Sequence, residues 1–234
     1  MLKLNLGCGR FPFPLDRDHV PNPEHLNDLP AMVFEPGWVN VDKFAFDGVT
    51  PANLFRVPWP LDDNAFDVVW IGHLVEHIPH EIKSISQAEY NIMCGRKHEI
   101  PSVVPETYRM MCENLDGFFV FMYECWRVMK PGAIVYIRAP LSVSYPSLSD
   151  PTHTRYLTPG TFGYLAAPAP ETPFDYHIPC RFEIADPSRP YLLRLRGDYA
   201  RQADNYTDKG LSDLIMKYNN VADEFRIELR AIKE

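Results

Sequence analysis

Apolar and polar residues follow two different periods along the chain, and these periods predict alternating strands and helices. Alternating or largely aliphatic runs predict strands at residues 2–6, 37–42, 66–71, 133–137, 181–184 and 224–232. Apolar residues at helical spacing predict a long helix over 106–129 and shorter helical segments at 73–78 and 159–166. The Lys130-Pro131-Gly132 turn should end the long helix. Strands that alternate with helices in this way predict an α/β fold with a mainly parallel sheet.

The 234 residues are 46% hydrophobic, which is enough for one domain with its own core, so we predict a single domain over residues 1–234. Two proline-rich or irregular segments, at about 11–36 and 79–105, are predicted to be loop insertions. Residues 140–220 are predicted to form the part of the domain that faces the substrate. In open α/β sheets the ligand crevice lies beyond the carboxyl ends of the strands, so insertions that follow strand ends are placed to shape specificity.

The net charge of −8 limits the classes of function. Binding dominated by a phosphate backbone needs a basic surface, so a nucleic-acid partner is not expected. No apolar run reaches the roughly 20 residues of a membrane span, and the first residues lack the pattern of a signal peptide. We therefore expect a cytoplasmic protein without membrane association. The sequence leaves open whether it forms an oligomer.

The five cysteines form no CxxC pair and are expected to be reduced thiols.

The turn Gly7-Cys8-Gly9, directly after the first predicted strand, is a candidate for ligand binding. Glycine has no Cβ, so the backbone can turn sharply and a ligand can come close to it. A GxG turn alone is common by chance. A dinucleotide-binding loop would carry a third glycine, but Phe11-Pro12 follows here, which argues against NAD and FAD.

Asp42, at the end of the next predicted strand, is the second candidate. A carboxylate there can accept hydrogen bonds from both ribose hydroxyls of an adenosine. In isolation, an aspartate that caps a turn explains the residue as well. Because Asp42 follows the glycine turn by one strand, the adenosine-binding interpretation is favoured.

Ordered segments of the chain resemble the class I S-adenosylmethionine (SAM)-dependent methyltransferases. They are LNLGCG at 4–9, GWVNVD at 37–42, PWP through NAFDVV at 58–69, HLVEHI at 73–78 and ECWRVMKPGA at 124–133. The resemblance implies a Rossmann-like, doubly wound, mostly parallel sheet of seven strands with an antiparallel final strand. It also implies SAM as cofactor, and methyl transfer to an oxygen or nitrogen acceptor on a small molecule, a sugar or an exposed side chain.

The resemblance also implies roles for single residues. The glycine loop, with Asn5, Gly7, Cys8 and Gly9, would approach the methionine part of SAM. Asp42 would hold the ribose, Lys43 or Phe44 would lie against adenine, and Asn53 would meet the adenine amino group. His73 would face the sulfonium or the acceptor.

Three residues are candidates for taking a proton from the acceptor: His153, His73 and Glu76. An imidazole suits this role near neutral pH. His153 lies in the polar segment 150–159, and two interpretations stay open: it is the general base, or it hydrogen-bonds that loop together. No metal site is expected. In the HExxH zinc motif the glutamate follows the first histidine, whereas in HLVEH it precedes the second. His77 is then expected to be a packing or capping residue.

Two other classes of function stay open. A SAM-binding module or partner subunit without catalysis would bind SAM and form no S-adenosylhomocysteine. A nucleotide-dependent oxidoreductase is disfavoured by the missing third glycine. The sequence does not determine the acceptor.

Overall fold

The structure is a computed structural model that describes residues 1–9, 12–15, 30–94, 105–166, 178–201 and 208–233. Within these residues the strands are β1 (Lys3–Leu6), β2 (Trp38–Asp42), β3 (Val49–Pro51), β4 (Arg56–Val57), β5 (Phe66–Gly72), β6 (Lys83–Ser84), β7 (Met129–Pro140), β8 (Arg181–Ile184), β9 (Tyr191–Leu195) and β10 (Ala222–Ile232). The α-helices are α1 (Gln87–Cys94), α2 (Pro105–Asn114), α3 (Gly117–Val128), α4 (Tyr145–Ser149), α5 (Gly197–Arg201) and α6 (Asp208–Lys217). Short 3-10 helices lie at Ala31–Phe34, Val75–His77 and Pro159–Tyr164.

Eight of these strands form one sheet, in the order β3-β2-β1-β5-β7-β10-β8, with β9 also paired to β10. The strands from β3 to β7 in this order are parallel, whereas β10 is antiparallel to β7, β8 and β9. The structure therefore confirms an α/β fold with a mostly parallel sheet and an antiparallel final strand. The sheet has eight strands where seven were expected.

The extra strand arises from an interruption at the edge of the sheet. β8 pairs with the end of β10 and β9 pairs with its beginning. Between them, Pro187 and Pro190 have no backbone N–H and cannot continue the ladder. Asp186 closes a turn there by accepting hydrogen bonds from the backbone N and the hydroxyl of Ser188, at 3.0 and 2.6 Å. Two short strands therefore fill the place of one.

The long helix predicted over 106–129 is wrong, because the chain forms α2 and α3 with a break between them. Asp116 is extended at the break and caps α3, since its side chain accepts a hydrogen bond from Phe118 N at 2.8 Å. At Gly117 the chain packs against the turn at Pro79, where a Cβ on this glycine would lie 2.2 Å from the carbonyl oxygen of Pro79. An uninterrupted helix would lose both the cap and this contact.

The two expected insertions are described only in part. The first contains the buried Phe13 and the 3-10 helix Ala31–Phe34, and its residues 16–29 lie outside the described residues. The second contains β6 and α1, and its residues 95–104 lie outside them as well. The predicted substrate side also extends beyond the described part of the chain, at 167–177 and 202–207. Among the described helices, none is long and apolar enough to cross a bilayer.

The two faces of the central strands are covered differently. Leu4 and Leu6 of β1 belong to the main apolar core, together with residues of α3. Asn5, on the opposite face of β1, is buried and donates to Asn40 Oδ1 at 2.9 Å. Asn40 in turn exchanges two 2.7 Å hydrogen bonds with the backbone of Phe13. These buried amides tie the segment that follows the glycine turn to the sheet.

Candidate functional site

A cleft of about 800 Å³ opens at the carboxyl edge of the parallel strands. Because β1, β2, β3 and β5 run in the same direction, the residues that follow them meet at this edge. The lining residues come from these loops: Gly7 and Gly9 after β1, residues 42–46 at the end of β2, residues 53–55 after β3, and His73, Leu74 and His77 after β5, with Thr152 beside them. The site therefore lies where the sequence pattern predicted it.

The glycine turn depends on the absence of a side chain. Gly7 and Gly9 have φ angles of 68° and 55°, in the left-handed region that disfavours other residues. A Cβ on Gly7 would lie 2.9 Å from the side chain of Leu74, so the loop after β5 packs directly on this glycine. Among the described residues, no atom lies within 4 Å of the Cβ position of Gly9, and this glycine lines the cleft.

Asp42 joins the glycine turn to the loop after β2. Its Oδ2 accepts a hydrogen bond from Gly9 N at 2.9 Å, and its Oδ1 accepts one from Phe44 N at 3.0 Å. The residue is 8% exposed and lines the cleft. A carboxylate oxygen can accept two hydrogen bonds, so each oxygen keeps acceptor capacity toward the cleft.

The wall beside Asp42 combines apolar surface with one amide. The rings of Phe44 and Phe46 lie 6.2 Å apart, and the Lys43 ammonium lies 4.8 Å from the Phe44 ring centroid. Asn53 lines the cleft and accepts a hydrogen bond from Phe55 N at 3.0 Å, which fixes the orientation of its amide. Aromatic surface with one oriented amide is suited to a flat heterocycle.

A buried ion pair supports this wall from below. Glu124 is fully buried and accepts hydrogen bonds from Trp59 N at 2.6 Å and from Arg127 Nε at 2.7 Å. Arg127 also donates to the carbonyl oxygens of Leu61 and Trp59, at 2.8 and 3.1 Å. The Trp59 indole donates to Leu54 O at 3.0 Å, next to Asn53. The PWP run is therefore a support for the cleft wall, a role that the sequence analysis missed.

His73 lines the cleft and lies between two carboxylates. Its φ of 53° is unusual for a residue with a side chain. Nδ1 lies 3.3 Å from Glu76 Oε1, and Nε2 lies 3.5 Å from Glu224 Oε2. Partial burial disfavours the charged ring, but the attraction of Glu224 and Glu76 outweighs it and raises the pKa of His73 to about 9. The general-base role of His73 stays a prediction, and it requires the ring to give up the proton that these carboxylates stabilise.

Glu224, which the sequence analysis did not single out, belongs to the same charge cluster. It forms ion pairs with Arg138 and, at 2.8 Å, with Arg194. Burial alone would raise the pKa of Glu224, but His73 and Arg138 lower it to about 2. Glu224 belongs to β10, so it comes close to His73, in the loop after β5, only when the sheet has assembled.

His153 does not line the cleft within the described residues. Its side chain is 6% exposed, its Nδ1 lies 2.9 Å from Ser147 O, and its ring packs against His77 with centroids 4.8 Å apart. The neighbouring Thr154 N donates to Glu76 O at 2.8 Å, so segment 150–159 does fasten loops together. The general-base role of His153 stays a prediction. His77 and Thr152 are the residues of this cluster that reach the cleft.

The structure separates the predicted cofactor residues into two groups. Those that line the cleft are Gly7, Gly9, Asp42, Lys43, Asn53 and His73. Asn5 and Cys8 are not among the lining residues: Asn5 supports Asn40 from below, and Cys8 is buried. Burial and the nearby Asp42 raise the pKa of Cys8 to about 11, so its thiol is neutral near pH 7. The cysteines whose side chains are described are free thiols.

Comparisons with known proteins give similarity at the level of structure only. No protein-family model and no curated protein matches the sequence. The structure is similar to those of SAM-dependent methyltransferases. One, from Archaeoglobus fulgidus, is 15% identical with a TM-score of 0.44, over 97% of this chain and 85% of that one. Another, from Mesorhizobium loti, is 11% identical with a TM-score of 0.42, over 98% and 90%. The [4+2]-cyclase SpnF is 12% identical with a TM-score of 0.44, over 99% and 74%. At these scores the residues of the cleft, and not the neighbours, must support a function.

Proposed function

We propose that the chain is a SAM-dependent methyltransferase that acts on an oxygen or nitrogen of a small molecule, a sugar or an exposed side chain. The observation that carries the proposal is the link between Asp42 and Gly9. A carboxylate at the end of the second strand is hydrogen-bonded to the glycine turn of the first, and both face one cleft. This arrangement offers a ribose an anionic acceptor next to exposed backbone.

The residues present fit the parts of SAM. Asp42 has acceptor capacity left for two ribose hydroxyls. The aromatic wall with Asn53 suits adenine, and the turn at Gly7 and Gly9 leaves room for the methionine chain. The cleft volume of about 800 Å³ lies within the usual range of roughly 300–1,000 Å³ for sites of this kind.

Bound SAM supplies a methyl group on an electrophilic sulfonium. The chain then has to hold the acceptor in line with that methyl group and to let the acceptor lose its proton. The part of the cleft beyond the glycine turn, with His73, His77 and Thr152, is where this proposal places the acceptor. All three predicted bases remain proposals: His73 lines the cleft, whereas His153 and Glu76 are set behind the lining residues.

Calorimetry with SAM, S-adenosylhomocysteine and NAD⁺ tests the cofactor. We expect saturable binding of the first two and none of NAD⁺; binding of NAD⁺ in preference to SAM would contradict the proposal. Mass spectrometry of small molecules that copurify with the protein gives an independent answer. Incubation with SAM and pooled hydroxyl and amine acceptors should then produce S-adenosylhomocysteine. Binding without turnover on any acceptor would favour the non-catalytic SAM-binding module.

A further inference from the structure

We propose that Glu76, His77 and His153 form a binding site for a divalent transition-metal ion at the edge of the cleft. One candidate ligand atom from each residue lies within 4.8 Å of those of the other two. Ligand atoms about 2.1 Å from an ion lie roughly 3 to 4 Å from one another, so small side-chain rotations would close the site.

Hydrogen bonds orient both imidazoles as metal ligands. Nδ1 of His153 lies 2.9 Å from Ser147 O, and Nδ1 of His77 lies 3.2 Å from Thr152 O. A carbonyl oxygen can only accept, so these hydrogen bonds place the hydrogen on each Nδ1 and leave Nε2 for an ion. The Thr152 hydroxyl, also 3.2 Å from His77 Nδ1, donates to Asp150 Oδ1 at 2.6 Å and is therefore an acceptor toward the ring. Metal-binding histidines are commonly held in this way by a backbone carbonyl on the second ring nitrogen.

Glu76 supplies an independent indication that a cation belongs here. Its side chain is 3% exposed, and neither carboxylate oxygen has a hydrogen-bond partner within the described part of the chain. His73 Nδ1 lies 3.3 Å from Glu76 Oε1, but this contact is not a hydrogen bond and leaves both oxygens unsatisfied. A buried carboxylate that accepts no hydrogen bond is costly, and a bound cation would offset that cost.

The backbone holds the three ligands in place before any ion binds. Thr154 donates from its backbone N to Glu76 O and from its hydroxyl to Ile78 O, both at 2.8 Å. The Arg155 guanidinium donates to Ile78 O at 2.7 Å. The loop that carries His153 is thereby fastened to the 3-10 helix that carries Glu76 and His77, so the site is preorganised.

The ligand set indicates the kind of ion. Two imidazoles and one carboxylate suit the divalent first-row transition metals from Mn²⁺ to Zn²⁺, whereas Mg²⁺ and Ca²⁺ prefer oxygen ligands. Three protein ligands leave at least one coordination position open. Because His77 borders the cleft, that position is available to a ligand there. If the proposed methyltransferase function holds, an oxygen of the acceptor is the natural occupant.

The test is metal binding by the intact chain after dialysis against EDTA, with no SAM present. Titration with Co²⁺, followed by absorption, and with Zn²⁺, followed by calorimetry, should show about one equivalent bound. The Co²⁺ spectrum should show ligand-field bands without thiolate charge transfer. Glu76→Gln and His153→Gln should each weaken binding by on the order of 100-fold or more. The matched control is His80→Gln, an exposed histidine paired with Asp116 at 2.8 Å, which should bind like the wild type.

Several results would overturn the proposal. They are no Co²⁺ or Zn²⁺ binding by the wild type, a thiolate band, displacement of Co²⁺ by excess Mg²⁺, or unchanged affinity in a folded Glu76→Gln variant. If that variant does not fold by circular dichroism, His77→Gln serves in its place, since this side chain is only half-buried. The outcome is separable from the proposed function, because Asp42→Ala should lose SAM binding and keep metal binding.

Discussion

Asp42→Ala is the substitution that tests the proposed cofactor site most directly. Asp42 accepts backbone hydrogen bonds from Gly9 and Phe44, at 2.9 and 3.0 Å, and faces the cleft. The substitution therefore removes the ribose acceptor and also releases the glycine turn. Asp42→Asn keeps the size of the side chain but turns an NH₂ group toward one of the two backbone donors. It should fall between the wild type and Asp42→Ala.

The size of the effect follows from the hydrogen bonds lost. A hydrogen bond to a charged group contributes about 1.5–3 kcal/mol. Two ribose hydroxyls would contribute about 3–6 kcal/mol, and the lower part of that range applies because the freed hydroxyls regain water. We therefore expect a loss of about 3–4 kcal/mol, which is on the order of 100- to 1,000-fold in Kd.

The assay is calorimetric titration of SAM and S-adenosylhomocysteine into variants whose folding is first verified by urea denaturation. Asp47→Asn is the matched control, since Asp47 is exposed near the rim but is not a lining residue. It removes the same charge without touching the ribose position, and its Kd should stay close to that of the wild type. A folded Asp42→Ala variant with a Kd within about threefold of the wild type would refute the reasoning, because that factor corresponds to less than 1 kcal/mol.

Three further predictions concern stability and are measured by urea unfolding. Gly9→Ala should cost about 1–2 kcal/mol for its left-handed φ, and Gly7→Ala should cost more, because its Cβ would also meet Leu74 at 2.9 Å; equal costs would argue against that contact. Glu124→Gln should cost about 3 kcal/mol, since it breaks a fully buried ion pair; a loss below about 1 kcal/mol would show the pair to be dispensable. Glu224 has a folded pKa of about 2, below its ordinary 4.5, so its stabilisation is present above pH 4.5 and is lost as the pH falls toward 2. The stability difference between the wild type and Glu224→Gln should therefore shrink by about 2 kcal/mol between about pH 6 and about pH 3, and a constant difference would contradict the shifted pKa.

The half of the cleft that we propose to bind the nucleoside was predictable because its determinants are local. The alternation of apolar and polar residues predicted the first two strands. Gly7 and Gly9 indicated the turn after the first strand, and Asp42 is the acid at the end of the second. In a parallel sheet the ends of adjacent strands must meet at one edge, so these two short motifs were enough to place the cleft. The apolar pattern over 106–129 predicted one helix instead of two, because such a pattern does not show where one helix ends and the next begins. α3 is buried almost throughout, so its apolar pattern shows no boundary with α2, and only Asp116 as an N-cap signalled the break between them.

The half of the cleft that we propose for the acceptor was not predictable, because its contacts join parts of the chain that are distant in sequence. The HLVEH run contains two of the three proposed metal ligands, and the third reaches them only through hydrogen bonds between segment 150–159 and the turn after β5. Glu224 likewise arrives from the last strand. The local hydrophobic pattern carries no information about such contacts. The sequence therefore predicted His77 to be a packing or capping residue and could not show that His153 lies beside it.

The two halves of the cleft are also built on different supports, and this difference has a consequence for function. Asp42 and the glycine turn are fixed by backbone hydrogen bonds at the end of adjacent strands, whereas His77 and Thr152 stand on loops fastened to each other. Changes in segment 150–159 therefore leave the ribose position untouched, since none of its described hydrogen bonds involve Asp42 or Gly9. For the proposed function, we therefore expect substitutions at Thr152 or His153 to alter turnover or metal binding while the Kd for SAM stays constant.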